Sequence, residues 1–499
     1  MRVLLFAATS ALALATVSAP AVAQHQNMPG MQMSMPEKPA LKKKKVVPKK
    51  TARKTAVAPA RHVQTKKASG PIDGMTMPME HDAKPSATEP PMDHSQMGQM
   101  PMPDMERGEH AGHQMAMTGA LGPYEMARES SGTAWQPDNS EHSGLHVMSG
   151  DWTLMAHGVL NLVYSHQSGP RGDDKAFASG MLMGMARRPL GNGTVQFKAM
   201  LSPDPMMGKR GYPLLLASGE TADGTTRLID RQHPHDFFME LSASVSQNVG
   251  PKSSVFLYAA LPGEPAFGPP AFMHREAIMD SPEAPISHHW LDSTHISFGV
   301  LTAGLVLDRV KVEVSRFNGR EPDQHRWNIE TGPLDSTSVR LSWNPTRTLA
   351  LQGSWGHFED PEQLEPGVDQ KRWSASALWA NEIAPGWKLA GTLAWGRKSS
   401  HGHDDDALAL EASLKHAAWT IFSRGDMTEN RELTDIEDGP AYRVGKLSLG
   451  AVRDFDLTDH FSVGLGGLFA VDFVPEELVP FYASHTPTGA MGFVRLKLD

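Results

Sequence analysis

After residue 150 the chain consists of short segments in which apolar and polar residues alternate. Residues 151–165 read DWTLMAHGVLNLVYS, in which apolar Leu162 and polar Asn161 are on opposite parities. Successive side chains of a β-strand point to opposite faces, so each segment forms one apolar and one polar face. Similar runs recur at 194–201, 237–246, 254–261, 295–307, 310–317, 336–343, 349–355, 373–381, 387–395, 408–414, 419–424, 444–454, 461–472 and 491–498. Many approach the length that a tilted strand needs to cross a bilayer, about 9–11 residues.

Two architectures produce this alternation, a soluble periplasmic β protein and a membrane barrel. Tryptophans favour the barrel because they fall mostly near the ends of the runs, where a bilayer interface would lie. They are Trp152, Trp343, Trp355, Trp373, Trp379, Trp387, Trp395 and Trp419. We therefore predict an all-β fold for residues 149–499, an antiparallel transmembrane β-barrel of about 14–16 strands. Sixteen is the favoured number because single-chain bacterial barrels usually have even strand numbers.

The N-terminus predicts export from the cytoplasm. Arg2 precedes an apolar run over residues 3–15, and Ala21-Val22-Ala23 form a small-residue cleavage site before Gln24. Residues 1–23 are thus a predicted signal peptide. Cysteine is absent from all 499 residues. Any metal ion must be bound by Met, His, Asp or Glu.

Residues 24–71 form a predicted disordered spacer. They contain a small Met cluster and a Lys-, Ala- and Pro-rich run, LKKKKVVPKKTARKTAVAPARHVQTKK. Like charges and few large apolar groups cannot offset the conformational entropy of folding. A solvated spacer is the simplest interpretation, and contact with anionic envelope polymers or lipid headgroups is the alternative.

Residues 72–148 form a predicted disordered Met/His-rich tail. Between Asp73 and Gln114 the only apolar side chains other than methionine are Ala83, Ala87 and Ala111, so the methionines have no core to enter. Thioethers and imidazoles suit copper in its two oxidation states. We predict Cu(I) at Met and Cu(II) at His, with no organic cofactor. The predicted tail ligands are Met75, Met77, Met79, His81, Met92, His94, Met97, Met100, Met102, Met105, His110, His113, Met115 and Met117.

Alternating methionines can converge on one ion. In an extended chain, residues two apart lie on the same side, as at Met75, Met77 and Met79. The alternative is a low-complexity linker with incidental methionine, although linkers ordinarily use Gly, Ser, Pro and charged residues. The pattern predicts the class of ligand and leaves the number of ions open.

The motifs GMTMPMEH at 74–81 and MDHSQM at 92–97 resemble the Met/His-rich N-terminal region of the outer-membrane copper-resistance protein B family. That resemblance covers about the first 120 residues. It implies a signal peptide, a copper-binding tail and a C-terminal barrel that together serve copper tolerance.

Two segments of the barrel region are too polar for ordinary strands. They read RLIDRQHPHDFFME at 227–240 and FMHREAIMDSPEAPISHHWLDSTH at 272–295, and their prolines favour loops. As a metal site they offer His233, His235, His288 and His289. As a catalytic site, a His paired with an acid could activate Ser287, Ser293 or a metal-bound water. As structure, they would form a hydrogen-bonded plug held by Arg231, Arg275 and Arg326.

The expected function is copper binding at the outer membrane, with the tail in the periplasm, contributing to copper sequestration or export. We expect no enzymatic activity. The expected partners are copper ions, outer-membrane lipids and periplasmic copper oxidase or efflux proteins, and no nucleic-acid motif is present. The alternatives are a barrel enzyme and a general porin with a His/Asp-lined lumen and an incidental tail.

Overall fold

The computed structural model describes residues 118–141, 144–434, 436 and 439–499. The predicted signal peptide, spacer and the tail ligands from Met75 to Met117 lie outside the described residues. None of the helices within the described ranges is long and apolar enough to cross a membrane.

Nineteen strands account for most of the described chain. They are β1 (Leu145–Ser149), β2 (Trp152–Gln167), β3 (Asp174–Leu190), β4 (Gly193–Leu201), β5 (Tyr212–Thr221), β6 (Arg227–Gln232), β7 (Phe238–Gly250), β8 (Ser253–Gly263), β9 (Ser297–Leu307), β10 (Val310–Phe317), β11 (Ser336–Thr346), β12 (Leu349–Phe358), β13 (Gln370–Ala384), β14 (Trp387–Ser400), β15 (His403–His416), β16 (Trp419–Asn430), β17 (Tyr442–Thr458), β18 (Phe461–Phe473) and β19 (Thr488–Leu498). Two four-residue helices, α1 (His288–Leu291) and α2 (Val479–Tyr482), lie between strands.

Sixteen of these strands form a closed antiparallel barrel. β2–β4 and β7–β19 pair in chain order, and β19 pairs with β2 to close the ring. β1 pairs with the first residues of β2, and β5 and β6 form a separate two-stranded sheet. The predicted barrel and the favoured number of sixteen strands are confirmed.

The two ends of the barrel differ in the length of their connections. Two-residue turns join strands at one end, at 150–151, 191–192, 251–252, 308–309, 347–348, 385–386, 417–418 and 459–460. The other end carries long connections at 202–237, 264–296, 318–335, 359–369, 431–441 and 474–487, together with two shorter ones at 168–173 and 401–402. We call these the short-turn end and the loop end. In outer-membrane barrels the short turns face the periplasm.

The barrel wall is apolar outside and polar inside. In β10, Lys311 and Glu313 are 0% and 1% exposed, whereas Val312 and Val314 are 43% and 47% exposed. The charged residues can be buried on the inner face because Lys311 pairs with Glu313, and Glu313 also pairs with Arg340. A soluble sandwich would bury the valines instead. This wall is therefore built to lie in lipid.

Tryptophans mark both rims of the apolar surface. Trp343, Trp387 and Trp419 lie near the short-turn end of their strands, and Trp373 lies near the loop end. These side chains are 37–50% exposed, as expected for aromatic girdles at the two interfaces. The tryptophan pattern in the sequence thus reflects the position of the bilayer.

Residues 118–141 form an N-terminal plug in the lumen at the short-turn end. Ser246 donates to the carbonyl of Ala120 at 2.7 Å, and Arg128 donates to the carbonyl of Asp308 at 2.9 Å. Together with β1, this plug lies within the 72–148 region predicted to be disordered. The packed structure therefore begins about thirty residues before the predicted boundary at 149. The sequence did not reveal this because the contacts of the plug are with strands far along the chain.

Residues 202–237 and 264–296 fold into the lumen from the loop end, and we call them the loop plug. Arg275 is fully buried and donates to Glu411 of the wall at 2.6 and 2.7 Å. Ser287 donates to Asp426 of the wall at 2.7 Å. Charge-assisted bonds of this kind fix the plug to the barrel.

Two strand predictions are corrected by the structure. The run at 295–307 begins two residues later, at Ser297, because His295 belongs to a single 3₁₀ turn. β3 was not predicted at all. Its outward face contains Ala176, Ala178 and Gly184 and its inward face contains methionines, so hydropathy does not alternate along it.

Candidate metal centre

Five histidines of the loop plug meet inside the barrel. His233 and His235 follow β6, His288 and His289 begin α1, and His295 ends the 3₁₀ turn before β9. Their exposed fractions are between 1% and 9%. We call these five residues the His cluster. Buried imidazoles need hydrogen-bond partners or a ligand to compensate for lost water.

Carboxylates orient three of the five rings through Nδ1. The Nδ1 atom of His235 lies 2.9 Å from Asp204 Oδ2, and that of His288 lies 2.8 Å from Asp292 Oδ1. His289 Nδ1 lies 3.5 Å from Glu321 Oε1. A carboxylate acceptor places the ring proton on Nδ1 and leaves the lone pair on Nε2.

Backbone carbonyls orient the other two rings. His295 Nδ1 lies 2.7 Å from the carbonyl of Asp292, and His233 Nδ1 lies 3.4 Å from the carbonyl of Pro234. Metal-binding histidines use carbonyls and carboxylates in this way as outer partners.

The Nε2 atoms of all five rings are buried, and none of them forms a hydrogen bond with another described residue. Nδ1 of each ring thus has an oxygen neighbour, and in His233 the Nε2 atom also has one, Glu220 Oε1 at 3.3 Å. A buried nitrogen that stays without a hydrogen-bond partner costs about 1–3 kcal/mol. A metal ion would satisfy several such nitrogens at once.

Three of the rings form a triangle. Ring centroids are 6.0 Å apart for His233 and His288, 5.5 Å for His233 and His289, and 5.5 Å for His288 and His289. Two imidazoles on one tetrahedral ion have centroids about 5 Å apart, given a metal–nitrogen distance of about 2.0 Å. Within the described ranges, no group of three or more His, Asp or Glu side chains is placed so that it could hold a metal ion. Binding of one ion by the triangle would therefore require its rings to rotate.

A second line of rings extends from this triangle. His295 is 5.2 Å from His288 and 5.1 Å from His235 between ring centroids. Phe272 packs against His235, His288 and His295 at 6.1, 5.7 and 6.5 Å. The phenyl ring limits water access to this side, and an apolar surround of this kind controls the polarity of a metal site.

Glu220 and Gly219, at the end of β5, lie against two rings of the triangle. Glu220 Oε1 lies 3.3 Å from His233 Nε2 without forming a hydrogen bond, and Glu220 also pairs with Arg326. Gly219 has φ of +106°, and a Cβ there would lie 2.9 Å from His289 Nε2. Only glycine permits this close approach of backbone to ring.

Burial disfavours the charged form of three rings of the His cluster. Loss of solvent, together with neighbouring imidazoles, lowers the pKa of His233 and of His295 well below the usual range. Burial also lowers the pKa of His288, and its bond to Asp292 opposes this only in part. Burial opposes ionisation of Asp292, but Arg275 and His288 outweigh it and lower the pKa of that carboxyl. Neutral imidazoles oriented by ionised carboxylates are the protonation states that a metal ion requires.

The structure brings together the four histidines predicted as barrel ligands, His233, His235, His288 and His289. His295 was predicted to begin a strand and is the fifth member. The sequence signal for it was its place in the polar run at 272–295, but its partners could not be read from the sequence. The predicted tail ligands lie outside the described residues.

The two serines considered as nucleophiles have no imidazole partner. Ser287 donates to Asp426, and Ser293 lies near Arg372 and Glu321. A hydroxyl bonded to a carboxylate or guanidinium lacks the neighbouring histidine base of an activated serine. These contacts give the serines a structural role in the plug.

No family model and no curated protein matches the chain. Among solved structures, the chain is similar in fold to OprB of Pseudomonas putida, at 11% identity and a TM-score of 0.46, covering 70% of this chain and 94% of that one. It is also similar to the anion-selective porin of Comamonas acidovorans, at 12% identity and a TM-score of 0.39, covering 70% and 100% of the two chains. The assignment of the fold rests on the strand pairing described above.

Proposed function

We propose that this protein is an outer-membrane barrel that binds copper and contributes to copper sequestration or export. The His cluster is its ordered Cu(II) site, and the Met/His tail collects copper in the periplasm. Five buried imidazoles carry this proposal, because their Nδ1 atoms are oriented and their Nε2 atoms form no hydrogen bond within the described part of the chain.

The direction of the chain supports a periplasmic tail. Thr118, the first described residue, accepts a bond from Arg187 near the short-turn end of β3. Short turns face the periplasm in outer-membrane barrels. The residues before Thr118 would then reach copper in the periplasm and pass it towards the lumen.

Copper is favoured over other ions by the donors of the whole chain. Imidazole suits Zn, Cu, Fe and Ni, whereas thioether selects Cu(I). Twenty-nine methionines and no cysteine give the chain many thioethers and no thiolate. Binding without thiolates is more readily reversed, which suits transfer between sites.

The proposal is tested by Cu(II) titration of the full-length chain, followed by electron paramagnetic resonance. The test variant is H233N/H288N/H289N. Asparagine keeps an amide near the position of Nδ1, so the orienting bonds are preserved while Nε2 is removed. We expect loss of the nitrogen-rich Cu(II) signal of the lumen and retention of weaker tail sites.

The matched control is H401N/H416N/H460N, which makes the same three changes at exposed histidines in turns or at a strand end. Its lumen signal should equal that of the wild type. An unchanged signal in the test variant would overturn the assignment of the His cluster.

The alternative of a general porin with an incidental tail predicts no specific copper signal in any of these proteins. The alternative of a barrel enzyme predicts turnover that depends on the same histidines. A conductance measurement on wild type and H233N/H288N/H289N distinguishes the porin, since a porin conducts equally in both with or without copper.

A further inference from the structure

A second group of soft ligands lies in the lumen between the His cluster and the N-terminal plug. Met155 on β2, Met183 and Met185 on β3 and Met200 on β4 all face inward and are largely buried. With Met126 of the N-terminal plug they line or border one cavity, which we call the sulfur chamber. The sequence pattern does not indicate this group because hydropathy does not alternate along β3.

Strand register places these side chains next to one another. Met155 pairs with Met185, His157 pairs with Met183, and Met183 pairs with Met200 across the next strand. Cross-strand partners have Cβ atoms about 4.5–5.5 Å apart. Flexible thioethers at that spacing can direct several sulfurs to one point.

Packing alone does not explain the choice of methionine. Six of the eight buried apolar residues in the cluster around the sulfur chamber are methionines. The main cluster at the loop end contains one methionine, Met491, among thirteen buried residues, and another contains none among eight. Leu, Val and Phe fill the other apolar clusters of the lumen. The cluster around the sulfur chamber is equally apolar but differs from them in its thioether sulfurs.

The sulfur chamber has free space and a free nitrogen. Its cavity measures about 90 Å³, and His274 of the loop plug lines it. The Nε2 atom of His274 is shielded and has no hydrogen-bond partner among the residues that the structure describes. The ring of His274 lies 6.4 Å from that of His157. Lys198, the nearest cation, is held by Glu240 at 3.3 Å and by the carbonyl of Gly132 at 3.1 Å. Its charge is therefore compensated and does not bar a bound cation.

The sulfur chamber is close to the His cluster. A second cavity of about 50 Å³ is lined by His233, His235, Met181 and Met273. Met279 lines both cavities. Thioethers thus extend from the N-terminal plug to the edge of the His cluster.

We propose that the sulfur chamber is a separate binding site for a soft monovalent cation, Cu(I), held by the thioethers of Met155, Met183 and Met185 and by His274. The inference rests on the proposed function for the identity of the ion and not for the existence of the site. Soft thioether donors with one imidazole favour Cu(I) over Cu(II) and Zn(II).

The test uses Ag(I), a soft monovalent ion that does not change oxidation state under the conditions used. Equilibrium binding to the full-length chain is compared between wild type and M155L/M183L/M185L. Leucine conserves volume, so the barrel should fold, and this is checked by heat-dependent migration on electrophoresis. We expect the variant to bind one Ag(I) fewer per chain than the wild type. The tail is identical in both proteins and cancels in the difference.

The matched control is M148L/M206L/M427L, which changes two exposed methionines and one on the outward face of β16. It should bind as many Ag(I) ions as the wild type. If the chamber variant does not fold, the variant His274→Phe is used in its place. It should lower the affinity for the same Ag(I) ion at least tenfold. Equal Ag(I) binding by wild type and the folded variant would overturn the inference.

The two proposals fail separately. If H233N/H288N/H289N loses Cu(II) while M155L/M183L/M185L keeps all its Ag(I), the proposed function stands and the sulfur chamber does not. If the histidine variant keeps its Cu(II) signal and the methionine variant loses one Ag(I), the chamber stands and the His cluster does not.

Discussion

Asp292 accepts a hydrogen bond from His288 Nδ1 at 2.8 Å through one carboxylate oxygen, while Arg275 occupies the other oxygen. Both partners and the carboxylate are almost fully buried. The same ion pair that anchors the loop plug to the wall therefore also orients a ring of the His cluster. The structural plug and the proposed metal site therefore share this ion pair, and the two interpretations of these loops are compatible.

Replacing Asp292 by Asn should weaken Cu(II) binding without removing a ligand. The amide is a poorer acceptor for His288, and loss of such an outer partner costs about 10–100-fold in metal affinity. Arg275 keeps its bonds to Glu411. Competition titration against a chelator of known affinity measures the change.

Asp454→Asn is the control for that experiment. Arg495, like Arg275, is buried between two carboxylates, here Asp454 and Asp280, and has no contact with the His cluster. Loss of the Asp454 carboxylate should leave Cu(II) affinity unchanged. Equal weakening in both variants would mean that general loosening of the barrel, and not orientation of His288, sets the affinity.

Gly219→Ala should displace His289. A Cβ at this position would lie 2.9 Å from His289 Nε2, and φ of +106° adds strain of about 1–3 kcal/mol. Gly208→Ala is the matched control, since Gly208 also has a positive φ, +91°, but has open space around its Cβ position. Cu(II) affinity should fall only in Gly219→Ala. A similar fall in both would assign the effect to backbone strain.

Cu(II) in the lumen should persist to lower pH than Cu(II) on exposed histidines. An exposed imidazole with pKa of about 6.5 is largely protonated at pH 5.5. The pKa values of His233, His288 and His295 lie below the usual value, so these rings are neutral and can still bind. Resonance spectra at pH 7.5 and 5.5 should show the lumen signal in both. Parallel loss of every copper signal near pH 6.5 would contradict this.

Deleting residues 73–117 should remove most of the Cu(I) capacity and lower copper tolerance of cells, because the deletion removes the predicted tail ligands. Cu(II) at the His cluster should remain. In the comparison protein a Gly/Ser linker of equal length replaces residues 73–117, so that the length of the tail stays constant. Unchanged copper tolerance would contradict the proposed role of the tail.

Much of the wall was predictable because alternation is a local signal. β10 shows it clearly, since Val312 and Val314 face lipid and Lys311 and Glu313 face the lumen. The alternation does not predict β3, because Met181, Met183 and Met185 are as apolar as the residues on its other face. Local hydropathy cannot tell a lumen-facing thioether from a lipid-facing side chain.

The site was predictable only in its donors. His233 and His288 stand out as members of polar, Pro-containing runs. The orientation of the His288 ring depends on Asp292, and that of the His233 ring depends on the carbonyl of Pro234. The wall buries the Nε2 atoms of both rings. The N-terminal plug escaped for the same reason, because Arg128 meets its partner carbonyl at Asp308, 180 residues away. Long-range contacts leave no mark on a local pattern.

The most direct test of the account is anomalous diffraction at the copper edge from crystals of the full-length chain exposed to Cu(II). We expect a peak within about 2.0–2.1 Å of at least three Nε2 atoms of the His cluster, with His233, His288 and His289 as ligands. A well-ordered lumen without an anomalous peak at these rings, at copper concentrations that saturate the chain in solution, would contradict the central claim.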